Sequence, residues 1–351
     1  MHKMSSGNQN QNMKLSKSSQ LLILIFVTLL LLFSVFFFFR SQPQYCSKVD
    51  IALGTTVKVV ISSQKDPSLI LEAILREFHR IDQKFSVTNE KSMIWRINHS
   101  ANPVQVDEET AFVIERSIAL ARATEGAFDP ALGNLISLWG FDRISDAQFQ
   151  PAIPSDAQIQ AALEKSGYEH IRLENDVVVL ENGIQLDLGG VVKGYAIDRG
   201  ISIAKEMDPN ATGYINAGRD IGIIGPKFGG DYWSIAVQDP RGESGEYIDL
   251  VYLKKGTIVT SGDYERFFII DGVRYHHIIN PKTGYPVRET ISTTVISPDA
   301  MDADALSTAA FVLGSEFSAM LLPVLGGQGL FVDAKQVVMA SEGWSFFKEK
   351  Q

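Results

Sequence analysis

The chain has 351 residues, 45% of them hydrophobic, and carries a formal net charge of −9 from 32 Lys and Arg against 41 Asp and Glu. That acidic balance excludes a broad nucleic-acid surface, which needs clustered cations to displace condensed counterions, so no nucleic-acid partner is expected. The single cysteine, Cys46, excludes an intrachain disulfide and a cysteine-based zinc site, leaving the fold to rest on its core.

Leu21 to Phe39 is apolar except for Thr28 and Ser34, close to the roughly 20 residues that cross a bilayer as a helix. Lys3, Lys14 and Lys17 precede the run and Arg40 closes it. A basic leader ahead of an apolar core is the pattern of an export signal or a signal anchor. No small-residue cleavage site follows Phe39, so the expectation is an uncleaved transmembrane anchor at 21–39. A cytoplasmic leader would occupy 1–20 and a linker 40–49, with one catalytic domain at 50–351 outside the cytoplasm. Gln44 and Tyr45 are not the small residues of a lipid-attachment site, so Cys46 reads as a free thiol.

Thr56–Ile61 alternates, predicting a strand with Val57, Val59 and Ile61 on one face. Asp66-Pro67 predicts a helix start, with Leu71, Ile74, Leu75, Phe78 and Ile81 as the apolar stripe and His79 beside it on the surface. A second helix is expected from Asp107 to about Thr124, ended by Gly126. Ser155-Asp156-Ala157-Gln158 reads as a capping box before a third. Short strands are expected at 170–173, 177–180 and 184–188, then a helix from Val191 to Ala204. Further strands are predicted at 213–216, 221–224, 233–237, 247–253, 257–260 and 292–297. Phe267–Ile270 and Arg274–Ile279 read as a hairpin across Asp271-Gly272. A helix opens at Asp302 or Ala303, with Asp302 as its cap, and runs to Leu313 before Gly314. Strand runs mixed with a few long helices predict an α+β domain of largely antiparallel sheet with packed helices.

Several of these segments carry residues suited to chemistry. In Leu186-Asp187-Leu188-Gly189-Gly190-Val191-Val192-Lys193-Gly194 an apolar run ends in an aspartate, two glycines permit close backbone approach, and a lysine follows at a helix start. Free N–H groups beside a lysine suit a phosphate, although the glycine spacing is neither a P-loop nor a dinucleotide fingerprint. Asp304 and Thr308 lie four apart on one helix face and offer hard oxygen ligands suited to magnesium; the alternative is that Asp304 stabilises the helix start and Thr308 packs. His276 and His277 are adjacent on a strand and so face opposite sides, leaving one as a candidate general base. Gly126–Pro130, Ile215–Asp220 and Thr260–Arg266 are polar turns after strands or helices, where ligands often sit. Phe128, Trp139 and Phe141 could stack on a ring or pack in the core.

The joint occurrence of these runs, in this order, resembles the ApbE family, the FAD:protein FMN transferases. The matching pieces are Gly126–Pro130 with Trp139-Gly140-Phe141, Leu186–Ala196, Asn216–Ile221, Ser261–Phe267, His276–Gly284 and Asp302–Gly314, which span nearly all of 50–351. The resemblance implies magnesium-dependent transfer of FMN from FAD to a Thr or Ser hydroxyl of a target flavoprotein, with release of AMP. It implies acceptor subunits of membrane electron-transport complexes and a location on the periplasmic side of a bacterial inner membrane. By matching motifs, Asp304, Thr308 and the backbone near Gly190 would bind magnesium, and Lys193 would neutralise phosphate charge. Asp187, Ala127, Phe128, Asp129 and Ile278 would bind FAD, and His277 would be the catalytic base. The alternatives are an FAD pyrophosphatase releasing free FMN and AMP, or a non-catalytic FAD-binding protein. The sequence departs from the usual pattern at Leu53, Thr88, Asn280 and Arg219, the last interrupting what is usually a double glycine.

Overall fold

The computed structural model describes residues 16–40, 44–144, 146–243 and 245–350, and only the backbone of 34–40. The expected leader, with Lys3 and Lys14, therefore lies largely outside the described residues, as does linker segment 41–43. The apolar run is helical, within Lys17–Arg40. Its described large side chains from Leu21 to Phe33 are all exposed. Among the described residues no helix is long and apolar enough to cross a membrane. The described side chains thus leave the expected 21–39 anchor without support. This helix and Tyr45–Gln351 belong to separate compact units.

The second unit starts earlier than expected, because Cys46–Ala52 pairs antiparallel with Thr55–Ser62 and is already part of a sheet. That sheet has eight strands in the order 46–52, 55–62, 212–217, 220–225, 257–262, 290–297, 328–333 and 338–340. Every neighbouring pair is antiparallel. The expected α+β class with a largely antiparallel sheet is what the chain adopts. Val57, Val59 and Ile61 are fully buried, as their alternation requires.

Three helices position the site. Pro67–Phe85 begins at an Asp66 cap that accepts the Ser68 N–H, and buries Ile70, Leu71, Ile74, Leu75, Phe78, Ile81 and Phe85. It packs on Val192–Met207, which in turn packs on Ala300–Leu313. The last two approach so closely that a Cβ on Gly194 would come 2.1 Å from the Ala300 carbonyl oxygen. Only glycine fits there.

Local rules placed most elements but misjudged some ends. The 184–188 segment is not a strand. Its backbone is satisfied elsewhere: Asn98 brackets Leu186 with two hydrogen bonds, and the Asp187 N–H donates to the Pro130 carbonyl. The hairpin turns at Asp271 and Gly272 with φ of 50° and 76°, but its second strand ends at His276. Asp302 is not a helix cap; it pairs with Arg116. The Ala300–Leu313 helix is capped from outside its own segment, by Asp198, whose two oxygens each accept at 2.9 Å from the N–H groups of Ala300 and Met301. Helices at 93–98, 133–139 and 315–324 and strands at 328–333 and 338–340 carry signals too short or too uniformly apolar for periodicity to find. His79 lies on the helix surface, 2.9 Å from an Asp50 oxygen.

Candidate active site

The capping of the Ala300 helix by Asp198 has a counterpart. Asp304, buried on the second turn of that helix, accepts the Gly194 N–H at 3.0 Å, from the first turn of the Val192–Met207 helix. Each helix start is thus tied by an aspartate of the other. The Gly194 contact fixes the distance between them, and with it the position of Asp304 against the Gly189–Lys193 turn.

Gly190 lies in the same corner. A Cβ there would sit 3.5 Å from Thr308 Oγ1 and 3.1 Å from the Phe128 ring. The Thr308 hydroxyl and the backbone of the glycine turn therefore face each other. Gly189 is held by its own N–H donating to Asp187 Oδ1 at 2.8 Å. Asp187 also lines a cavity of about 210 Å³ with Trp95, Asn98 and His99 among its walls. The structure therefore brings Gly190, Asp304, Thr308, Lys193 and Phe128 together, with Asp187 at the edge.

Lys193 Nζ is 2.5 Å from Asp220 Oδ2. Asp220 is fully buried, and its Oδ1 accepts the Thr260 N–H at 3.0 Å, which anchors it to the sheet. Oδ2 has no aligned hydrogen-bond donor, so the ammonium is its charge partner. Burial works against the charged lysine, but Asp220, Asp304 and Glu265 outweigh it and hold its pKa above the ordinary value. Burial pushes Asp304 up to about 7, with Lys193 opposing and Asp220 reinforcing. Burial likewise raises Asp220 and Glu265. Glu265 Oε1 is buried with no hydrogen-bond partner. Neither Asp220 nor Glu265 was singled out by sequence reasoning. Each lies in a segment that the sequence marks as a polar turn, Asp220 at the first position of a strand, but nothing local announces that its carboxylate turns inward.

The two histidines divide as strand geometry requires. His276 is buried, with Nε2 donating to the Val287 carbonyl at 2.6 Å and Nδ1 accepting the Ile278 N–H at 3.3 Å. Both ring nitrogens serve the fold. His277, just past the strand, has a buried Nδ1 without a partner. Burial first, then the charges of Arg266, His276 and Lys193, hold its pKa well below the ordinary value. The imidazole is thereby held toward its neutral form.

Other predicted residues are placed less directly. Ala127 and Phe128 are buried in the main core. Asp129 uses both oxygens on the fold, accepting from Ala131 N at 2.8 Å and Tyr168 N at 3.2 Å. Burial raises its pKa to about 6. Ile278 packs with Val287 and Phe311. Trp139 and Phe141 stack 6.2 Å apart in a separate aromatic cluster, so they serve as core.

The donor set fits a hard divalent cation. Asp304, Thr308 and a backbone oxygen near Gly190 would offer oxygen ligands only, the kind that suits magnesium. Among the described residues no group of three or more His, Cys, Asp or Glu could hold a metal. A cation here would thus depend on its ligand's oxygens as well as the protein's. That is how magnesium commonly sits in phosphate sites.

The sequence model of the ApbE family matches residues 53–326. A relative from Treponema pallidum, named FAD:protein FMN transferase, is 32% identical over 331 residues, covering 87% of this chain and 89% of its own length. One of the same name from Escherichia coli is 32% identical over 254 residues, covering 70% and 71%. Among solved structures, the ApbE protein of Thermotoga maritima superposes with a TM-score of 0.84 at 46% identity, covering 87% of this chain and 100% of that one. The flavin transferase ApbE of Vibrio cholerae gives a TM-score of 0.76 at 26% identity, with the same coverage.

Proposed function

The chain belongs to the ApbE family and is a transferase, and we propose that it moves FMN from FAD to a Thr or Ser hydroxyl of a target flavoprotein, releasing AMP. The observation that carries this reading is the corner where Asp304 and Thr308 face the Gly189–Lys193 turn. Lys193 pairs there with Asp220, and Asp304 and Glu265 add negative charge around it. A diphosphate would be repelled from such a pocket unless a cation joined it. Asp304, Thr308 and the backbone near Gly190 would hold magnesium, which when bound offsets charge on phosphate oxygens during phosphoryl transfer.

The remaining roles belong to the chain itself. The two glycines admit the phosphates close to the backbone, and Lys193 faces them as a fixed ammonium. Asp220 keeps that ammonium charged and anchored to the sheet. Phe128 walls the turn at Gly190, Asp129 shapes the Gly126–Pro130 loop, and Asp187 orients the glycines beside a cavity open to part of FAD. Ala127 and Ile278 act through packing. His277 takes the acceptor hydroxyl's proton as its oxygen bonds to the FMN phosphorus. The bond from that phosphorus to the AMP oxygen then breaks, and AMP leaves with the electron pair.

The acceptors are read as flavoprotein subunits of membrane electron-transport complexes. The anchor belongs to the same proposal. Its basis is the sequence pattern alone, a basic leader ahead of an apolar run, and it would put the catalytic unit on the periplasmic face of a bacterial inner membrane. Recovery of the full chain in the soluble fraction after cell breakage would refute the anchor.

The activity is tested by incubating the protein with FAD, magnesium and a threonine-bearing acceptor domain. Mass spectrometry should show an FMN-sized adduct, and chromatography should show AMP. AMP without adduct would assign an FAD pyrophosphatase; neither product would leave a binding protein.

A further inference from the structure

Arg219 is the second residue of a two-residue turn, because Ala217 pairs directly with Asp220 across it. Gly218 and Arg219 have φ of 63° and 84°. Turns of this kind favour Asn-Gly, Asp-Gly or Gly-Gly, since both central residues are left-handed. A long side chain in that conformation is strained, and the strain persists only where the surroundings hold it. Here the Arg219 N–H donates to Asn216 Oδ1 at 3.0 Å, and the guanidinium lies over the Tyr264 ring, 5.3 Å from its centroid. Tyr264 is itself fixed: a Cβ on Gly262 would come 2.5 Å from its ring.

The side chain held at this cost is exposed. The nearby Arg241 and Arg274 both serve Asp263. Arg219 makes no ion pair with a carboxylate among the described residues. Its neighbours along the chain, and those of Tyr264, belong to the proposed active site. The next residue is Asp220, the partner of Lys193. The residues after Tyr264 are Glu265, which feels the charges of both Lys193 and Arg219, and Arg266, whose guanidinium comes within 3.8 Å of the position of a Cβ on Gly189.

We propose that Arg219 is a substrate-binding residue whose guanidinium grips the diphosphate of the dinucleotide at the mouth of the site. Lys193 is already matched by Asp220, so a cation without an ion-pair partner adds to the pull on an anionic ligand. A guanidinium presents two N–H groups in a fork that fits phosphate oxygens. Its stacking on Tyr264 orders it before the ligand arrives, which lowers the entropy cost of binding.

This proposal rests on the reading of FAD as substrate, and the test separates the two. Binding of FAD, and of riboflavin as a phosphate-free probe, is measured by flavin fluorescence for the wild type, Arg219→Gly and Arg219→Lys. Thermal unfolding is followed alongside. Arg219→Gly should bind FAD on the order of tenfold more weakly, with riboflavin binding unchanged and the melting temperature unchanged or raised. Arg219→Lys should recover part of the loss. Equal FAD affinity in Arg219→Gly, or a parallel loss for FAD and riboflavin, would overturn the proposal while leaving the activity intact. A wild-type protein that binds no FAD would remove both.

Discussion

Two clusters of charge share the Val192–Met207 helix, and they are built to opposite rules. On one face Tyr195 and Arg199 join Glu77, Arg80, Lys84, Asp107 and Glu109. Three carboxylates there meet three cations. Glu109 alone accepts from Arg80, Lys84 and the Tyr195 hydroxyl. Although burial opposes it, those bonds lower its pKa to about 2. At the helix start, Lys193 pairs with Asp220 alone while Asp304 and Glu265 add further negative charge. There the carboxyl pKa values rise, and Glu265 and His277 keep buried atoms without partners. A matched network stabilises the fold as it stands. An unmatched one is costly alone and becomes favourable when a ligand supplies the missing charge.

The sharpest way to break that comparison is Asp304→Ala. Turnover of FAD should fall by about a thousandfold or more and lose its response to magnesium, and some stability should be lost with the buried Gly194 N–H left unpaired. Full activity without metal would refute the assignment. His277→Ala should slow transfer by about a hundredfold with FAD affinity kept; His276→Ala, which removes two fold bonds, should instead lower stability. A rate unchanged in His277→Ala would place the base elsewhere.

Acid–base behaviour sharpens the contrast next. The folded pKa of Asp304 is about 7, above its ordinary 3.8. Its contribution to stability without metal is therefore present below 3.8 and lost as pH rises through about 7. Magnesium needs the ionised carboxylate, so its apparent affinity should climb about tenfold per pH unit below 7 and flatten above it. Glu109 has the opposite sign: its stabilisation is present above 4.5 and lost as pH falls toward 2. A flat magnesium affinity from pH 5 to 8, measured by calorimetry, would contradict the Asp304 shift. The smallest effect is expected for Glu109→Gln, a loss of roughly 1–2 kcal/mol with solvent screening limiting it, and unaltered FAD turnover. A turnover loss comparable to that of His277→Ala would show that the matched network is part of the site after all.

Much of the fold was legible because its signals are local. Asp66, Asp107 and Ser155 cap helices as their spacing predicts. Asp271-Gly272 turns a hairpin, and Val57, Val59 and Ile61 are buried together. The unread parts are those where tertiary contacts replace local ones. Leu186–Asp187 looks like a strand but finds partners in Asn98 and Pro130. The Ala300 helix is capped by Asp198 rather than by Asp302.

The site divides along the same line. By itself the sequence determined which chemistry-bearing residues exist and on which elements they lie: Asp304 and Thr308 one turn apart, two glycines before Lys193, and adjacent histidines forced to opposite faces. Only the tertiary structure decided that Gly194 and Asp304, 110 residues apart, share a hydrogen bond, that His276 is spent on the fold while His277 is not, and that Asp220 and Glu265 turn inward beside Lys193. The physical reason is range. Periodicity, caps and turns act over a few residues, whereas burial and charge pairing depend on which surfaces the packed helices and sheet bring into contact.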